Sequence, residues 1–313
     1  MPSSPMRERS ENGQGKGPLA MAQKPSDQAR AWAARAIQHP AARTAVKRGV
    51  YGVAAVRGRA LAASGRLPEI QNIFCASSPK AGSQWLKAIF DHPVVKEHTH
   101  LMTLPQFDHQ TRLHKTFPPG TFVPGVYMSY PEYQSLNRPY PHRTIYVYRD
   151  PRDVVVSGYY SAVFTHPSLH DDELEGFRQR LRDLPRDDAI LELIHHSTVR
   201  LQEITSWADV SDPLIHTLKL EDNKHDEIGQ IRRMLEHCEV FLSESEFDEL
   251  ADTVTREALQ RRDLAQRESG GESHYRVSRE GYREIFNREH YEAMESVIPG
   301  FAAQLGYPEN PAL

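Results

Sequence analysis

The segment that most constrains the fold is residues 72–90, in which a short apolar run is followed by a turn with proline and glycine and then by a helical pattern. After the turn, apolar residues recur at the spacing of one helix face: Trp85, Leu86, Ile89 and Phe90. The segment therefore predicts a strand, a loop and a helix. Such a junction points backbone N–H groups and the positive end of the helix dipole into one concavity, which predicts an anion site.

The residues of this loop favour phosphate as the anion. Lys80 supplies a positive charge, and Gly82, which has no Cβ, allows positive φ and a close approach of the backbone to a ligand. The hydroxyl of Ser83 is suited either to cap the helix or to bind the ligand. A strand-to-helix turn with a solvent-facing lysine is the alternative interpretation. The loop is not a Walker A sequence, because its lysine precedes its glycine.

A second junction follows residues 144–148, a run of β-branched and aromatic residues that predicts a strand. Arg149 stands at the end of this run, and Pro151 and Asp153 mark the start of a helix. Ser157 lies eight residues after Arg149, about two turns into that helix. A forked guanidinium and a hydroxyl can converge on one phosphate, so the pattern predicts a second phosphate site. A strand-end arginine in a salt bridge is the alternative.

Together, the two junctions resemble the nucleotide signatures of the sulfotransferases, which use 3′-phosphoadenosine-5′-phosphosulfate (PAPS) as sulfuryl donor and release the 3′,5′-bisphosphate nucleotide (PAP). Residues 77–85 resemble the loop that holds the 5′-phosphosulfate, and residues 149–157 match the 3′-phosphate signature at every position. Residues 214–222 resemble a later strand of the family, and residues 276–286 its nucleotide-covering loop. The chain is similar to this family over about residues 69–307, as a divergent member that we expect to be bacterial.

The resemblance implies an enzyme that moves the sulfuryl group of PAPS in line to a hydroxyl or amine of a small-molecule, sugar or lipid acceptor. PAPS is then the donor cosubstrate, and no metal is expected. Lys80 is implied to stabilise charge on the bridging oxygen of the leaving phosphate. The residues implied to bind the nucleotide are Lys80, Ala81, Gly82, Ser83, Gln84, Trp85, Arg149, Ser157 and Arg276.

The chain departs from the family at the general base. The cytosolic enzymes carry lysine, threonine and histidine at the end of the second strand, with the histidine as base. The corresponding run here is Lys115, Thr116 and Phe117, so the expected base is absent. His114 is the candidate base, with His109 or an unidentified acidic residue as alternatives. Lys115 keeps the family position and is expected to contact the bridging oxygen or the sulfuryl group.

Two other functions stay open at this point. The first is a relative that binds PAPS or PAP without catalysis, for which Phe117 would mark the loss of the base. The second is a P-loop kinase that uses ATP and magnesium. A kinase requires a lysine followed by serine or threonine in the loop and a metal-binding carboxylate after a strand, and the sequence offers no such pair.

The expected fold is α/β, with a central parallel sheet covered by helices on both faces and a P-loop-like arrangement of ligands at the carboxyl ends of the strands. The predicted strands are residues 71–76, 111–116, 144–149 and 214–220, with one more short strand near residues 122–128. The predicted organisation is a disordered tail (residues 1–25), a basic helical extension (26–68) and a sulfotransferase domain (69–313).

Charge is distributed unevenly along the chain. The net charge of −4 argues against a general nucleic-acid binder, but residues 1–68 carry twelve Lys/Arg against three Asp/Glu. Residues 28–68 are therefore predicted either to contact an anionic membrane surface peripherally or to pack on the main domain or a second copy in a homodimer. No signal peptide is recognised, so we expect a cytoplasmic protein, associated with the inner face of the membrane in the first case.

Overall fold

The computed structural model describes residues 40–78, 80–105, 115–165, 172–266 and 281–310. The chain divides into two compact units, residues 1–43 and residues 44–313. Of the first unit, only the start of helix α1 (Pro40–Ala63) is described. The predicted tail and residues 26–39 of the predicted basic extension lie outside the described residues, and the predicted domain boundaries stay a prediction.

The second unit is built on one sheet of five parallel strands in the order β2-β3-β1-β4-β5. The strands are β1 (Asn72–Ser77), β2 (Met102–Thr103), β3 (Thr121–Val126), β4 (His142–Tyr148) and β5 (Ile215–Lys219). Every residue of β1 and β3 is buried, because helices cover both faces of the sheet. The predicted α/β class with a central parallel sheet is confirmed.

The helices that follow α1 connect and cover these strands. They are α2 (Ser83–Phe90), α3 (Pro93–Thr99), α4 (Tyr130–Gln134), α5 (Pro151–Tyr160), α6 (Asp172–Asp183), α7 (Arg186–His196), α8 (Thr198–Thr205), α9 (Asn223–His237), α10 (Glu244–Val254), α11 (Arg256–Gln266), α12 (Tyr282–Ile285), α13 (Arg288–Val297) and α14 (Phe301–Leu305). A short π-helix, Ser161–Thr165, follows α5, and a 3₁₀ turn, Leu220–Asp222, follows β5. Within the described ranges, no helix is both long and apolar enough to cross a membrane.

The two faces of the sheet pack against different helices. Ile73 and Cys75 belong to a core cluster with Trp85 of α2, and this side is called the α2 face. Phe74 and Ala76 point the other way, into a cluster with Tyr51 of α1, and this side is called the α1 face. The basic helix α1 therefore packs on the sheet from Tyr51 onward. Membrane contact through residues 28–68 stays a prediction.

The strand beside β1 is not the one that the sequence indicated. The sequence predicts residues 111–116 as the second strand. Residues 111–114 lie outside the described residues, Lys115 and Thr116 lie outside any strand, and β1 pairs with β3. Asn72, the first residue of β1, donates from Nδ2 to the Pro118 carbonyl at 2.8 Å. The segment after Lys115 therefore runs beside the amino-terminal end of β1. β3 confirms the short strand predicted near residues 122–128, although its proline and glycine make the composition weak for a strand and hide its place beside β1.

Phe117 is a core residue at that amino-terminal edge. Its side chain is 1% exposed, and its ring meets that of Phe74 edge to face with the centroids 5.2 Å apart. At a rise of about 3.3 Å per residue, the two ends of β1 are about 16 Å apart. The predicted correspondence between Phe117 and the family's base is therefore wrong, because the phosphate loop follows the other end of β1.

β3 contains one more residue than β1 over the same span. Phe74 pairs with Val123, whereas Ala76 pairs with Val126. Gly125 lies in the extra step with φ 65°, a conformation that glycine adopts without steric cost. Because side chains alternate along a strand, an extra residue moves every later side chain to the opposite face. Val126 accordingly lies in the same cluster as Val123, on the α1 face.

We expect Phe117→Ala to lower the free energy of unfolding by about 3–5 kcal/mol, because it leaves a cavity against Phe74. The matched control is Lys115→Ala, which removes an exposed side chain and is expected to change stability by less than about 0.5 kcal/mol. Urea unfolding followed by circular dichroism measures both. Equal stability of the two variants would contradict the placement of Phe117 in the core.

Candidate functional site

Both predicted junctions lie at the carboxyl edge of the sheet. Ser77, the last residue of β1, pairs with Val147 of β4, and Tyr148 pairs with Lys219 of β5. The loop after Ser77, the β4–α5 junction at Arg149 and the turn at Glu221 therefore follow three neighbouring strands. The structure thus brings the two predicted phosphate sites together, since parallel strands end on one side of the sheet.

Glycine is required at position 82 of the loop for two reasons. Gly82 has φ 95°, and a Cβ at this residue would lie 3.0 Å from Cδ1 of Leu220. Lys80 also has positive φ, 71°, which is uncommon for a residue with a side chain and indicates a tightly constrained loop. Around these residues, Ala81 is buried, Lys80 is half-buried and Gln84 is exposed.

The start of α2 offers backbone donors to a ligand. Its N-cap is Gly82, which has no side chain to accept hydrogen bonds from the first turn. Trp85 N donates to the Gly82 carbonyl at 2.9 Å, which leaves the amides of Ser83 and Gln84 at the open end of the helix. Free amides together with the helix dipole are the donor set that a phosphate requires, so the loop fits the predicted group.

Trp85, which is predicted to contact the adenine, lies in the core. Its ring is 2% exposed and packs in the core on the α2 face. Its Nε1 is buried and has no hydrogen-bond partner among the described residues. The ring is therefore a core component of the site, and the adenine contact stays a prediction.

Arg149 is held at the second junction by two carboxylates. Its Nε lies 3.9 Å from Glu221 Oε1, and its Nη2 lies 3.7 Å from Asp153 Oδ2. Glu221 is itself fixed, because Oε1 accepts from Asp150 N at 3.2 Å and Oε2 accepts from the Tyr307 hydroxyl at 2.9 Å. The ion pairs to Arg149 are longer than a good hydrogen bond, and its side chain is 27% exposed. Arg149 is therefore oriented and still available to an anion.

Ser157 stands on the same side of α5 as this ion pair. Asp153 and Ser157 are four residues apart, so they lie one above the other on a single helix face. Asp153 also accepts from Tyr282 N at 3.0 Å, which fixes the start of α12 against α5. Arg276 lies outside the described residues, in the stretch just before Gly281.

The sequence prediction missed a second arginine at this junction. Arg256 begins α11, and its backbone N donates to Glu227 Oε1 at 2.9 Å. Burial lowers the pKa of the Arg256 guanidinium below its usual value, and the positive charge of Arg149 lowers it further. Arg149 and Arg256 therefore repel each other, while the carboxylates of Glu227 and Glu221 offset part of this repulsion. The only sequence signal for Arg256 is the basic start of a helix.

The other arginine of the motif, Arg152, has a structural role. Its side chain is 0% exposed, with Nε and Nη2 donating to Asp150 at 2.9 and 2.7 Å. Its Nη1 donates to Asn310 Oδ1 at 2.9 Å, and its guanidinium stacks over the Tyr282 ring at 4.1 Å. Arg152 therefore joins the start of α5 to the C-terminal segment.

Of the predicted catalytic residues that the structure describes, Lys80 and Lys115 lie at opposite ends of β1. Lys80 lies in the loop after its carboxyl end, whereas Lys115 is exposed beside its amino-terminal end and outside any strand. His114 and His109 lie outside the described residues. The residue that follows β3 at the carboxyl edge is Tyr127, which the sequence places among the aromatic residues expected near the acceptor but not in the catalytic or nucleotide-binding set. Its hydroxyl lies 2.9 Å from Ser83 Oγ.

In the part of the chain that the structure describes, no group of three or more His, Cys, Asp or Glu residues is arranged to hold a metal ion. Both cysteines, Cys75 and Cys238, are free and buried.

The chain is similar to known sulfotransferases. The family model of the sulfotransferase domain matches residues 71–304, most of the chain, and includes both junctions. A mouse sulfotransferase complexed with PAP aligns at 15% identity over 74% of this chain and 84% of its own, with a TM-score of 0.49. Retinol dehydratase in complex with androsterone and inactive cofactor PAP aligns at 18% identity over 76% and 82%, with a TM-score of 0.44. No curated protein matches the chain in sequence.

The two arginines of the motif are expected to respond differently to substitution. Arg152→Met leaves the buried Asp150 carboxylate without its partner and should lower the free energy of unfolding by about 3–5 kcal/mol. Arg149→Met breaks only long, partly exposed ion pairs and should change it by less than about 1 kcal/mol. Urea unfolding of the two variants measures the difference. A larger loss for Arg149→Met would contradict the assignment of the structural role to Arg152.

Proposed function

We propose that this chain, which belongs to the sulfotransferase domain family, transfers the sulfuryl group of PAPS to a hydroxyl or amine of a small-molecule, sugar or lipid acceptor. The observation that supports the proposal is the adjacency, at one edge of the sheet, of two junctions whose groups are suited to anions. PAPS has a phosphosulfate at one end of its ribose and a phosphate on the 3′-oxygen, so it needs two such sites.

The loop at residues 80–84 is proposed to hold the 5′-phosphosulfate. The amides at the start of α2 donate to the phosphate oxygens, and Ser83 adds a hydroxyl. Lys80 stabilises the negative charge that develops on the bridging oxygen as the bond between sulfur and that oxygen breaks. Holding the donor in this way fixes the direction of in-line attack by the acceptor.

Arg149 is proposed to bind the 3′-phosphate together with Ser157 and Arg276. The guanidinium is already oriented by Glu221 and Asp153, so little side-chain freedom is lost when it binds. Arg256 adds positive charge to the same region. A phosphate on the 3′-oxygen distinguishes PAPS and PAP from AMP and ATP, and these residues are therefore the proposed source of nucleotide selectivity.

We expect the protein to bind PAP more tightly than 5′-AMP or magnesium-free ATP in calorimetric titration. Arg149→Met should weaken PAP binding by about 10- to 100-fold, since a hydrogen bond to a charged group contributes about 1.5–3 kcal/mol. The same substitution should leave the affinity for 5′-AMP within about twofold, because 5′-AMP lacks the group that Arg149 binds.

The matched control is Arg143→Met. Arg143 stands at the opposite end of β4, where its Nε donates to the His237 carbonyl at 3.1 Å and its guanidinium pairs with Glu239. It should leave PAP affinity unchanged. A preference for ATP, or equal affinity for PAP and 5′-AMP, would overturn the proposal, and a preference for ATP that requires magnesium would favour a kinase.

A further inference from the structure

The carboxyl end of β3 brings a tyrosine hydroxyl to the phosphate loop. Tyr127 directly follows Val126, the last residue of β3, and its hydroxyl lies 2.9 Å from Ser83 Oγ. Ser83 is the first residue of α2, so this hydrogen bond connects the end of a second strand with the donors of the loop. The family resemblance implies a role for Ser83 in binding the nucleotide but none for Tyr127.

The bulge in β3 explains how Tyr127 reaches the loop. In a regular strand, Tyr127 would share a face with Val123, on the side of the sheet packed by α1. The extra residue at Gly125 reverses the alternation, places Val126 on the α1 face and turns Tyr127 to the α2 face. Bulges beside active sites commonly redirect a side chain in this manner.

The surroundings of the Tyr127 phenol keep it protonated. Burial raises its pKa above the usual value of a tyrosine, while the hydrogen bond with Ser83 and the charge of Arg200 act in the opposite direction. The neighbouring thiol of Cys75 is neutral, because burial raises its pKa to about 12. Arg200 is contributed by α8, and its Nη1 donates to the Tyr127 carbonyl at 3.4 Å. A tyrosine in this setting is a poor base in its resting state, but it can accept one proton while it gives up another.

We propose that the Tyr127 and Ser83 hydroxyls form a proton relay from the acceptor to the departing 5′-phosphate. This proposal rests on the proposed sulfuryl transfer. Tyr127 takes the place of a titrating general base. The relay requires two hydroxyls in hydrogen-bond contact, one of them at the phosphate loop, and the observed pair meets that requirement.

In the relay, the acceptor oxygen, or the nitrogen of an amine, attacks sulfur and forms a new S–O or S–N bond, while the bond from sulfur to the bridging oxygen breaks and its electron pair stays on the 5′-phosphate. The acceptor proton passes to Tyr127 Oη, the Tyr127 proton to Ser83 Oγ and the Ser83 proton to a phosphate oxygen, which becomes more basic as the bond to sulfur breaks. The products are PAP with a protonated 5′-phosphate and a sulfate ester from an alcohol, a sulfamate from an amine or sulfate from water, and both hydroxyls are restored.

The test measures PAP release from PAPS with water, 2-naphthol, octyl glucoside and octylamine as acceptors, since PAP forms with every acceptor. With the best acceptor, Tyr127→Phe should lower kcat by about 100- to 10,000-fold, the usual contribution of acid–base catalysis. The calorimetric affinity for PAP should stay within about threefold, because the phenol acts on the acceptor's proton and is not needed to hold the nucleotide. Tyr130→Phe removes the same hydroxyl from a tyrosine of α4 that stacks on Tyr133 and is the matched control.

The pH profile separates a relay from a packing role. Wild-type kcat should not fall between about pH 9 and pH 6, since neither hydroxyl titrates there. Tyr127→His should regain part of the activity lost in Tyr127→Phe, with a new acidic limb at about pH 6.5, because an imidazole accepts a proton only when neutral.

The outcomes are distinguishable. If the wild type releases no PAP above the uncatalysed rate with any acceptor, the proposed function fails, and the relay fails with it. If the wild type turns over and Tyr127→Phe keeps kcat within about threefold of it, the relay alone is wrong. The Tyr127→Phe comparison decides the matter even if Tyr127→His does not fold.

Discussion

The arrangement of the site depends on the parallel pairing of β1 with β3 on one side and β4 on the other. Because all three strands point the same way, the phosphate loop, Tyr127 and Arg149 emerge at one edge although they are far apart in sequence. β1 is buried along its whole length, so both neighbours are held in register by packing on two faces. The positions of the reactive groups are thus a consequence of how the core is built.

The two arginines of the second junction have different roles, one in stabilising the fold and one in binding an anion. Arg152 is fully buried and compensated by Asp150, and it stabilises the start of α5 and the C-terminal segment. Arg149 is half-buried, is oriented by Glu221 and Asp153 through long contacts, and keeps capacity for an anion. The same motif therefore contains one arginine that holds the fold and another that is free to change partners, a difference set by burial.

The two phosphate junctions could be predicted from sequence because each combines a local strand, a turn residue and a helix start. The predicted helix after Gly82 and the strand before Arg149 are both present. β3 could not be recognised as the neighbour of β1, since Pro124 and Gly125 interrupt its pattern. The face that Tyr127 presents depends on an extra residue in one strand relative to another, and such a relation between distant segments is not encoded in local periodicity.

A crystal structure of the protein with PAP tests the proposed site most directly. We expect the 5′-phosphate to accept hydrogen bonds from the amides at the start of α2, and the 3′-phosphate to lie within hydrogen-bond distance of the Arg149 guanidinium. A nucleotide bound with its 3′-phosphate in solvent, or at another edge of the sheet, would contradict it.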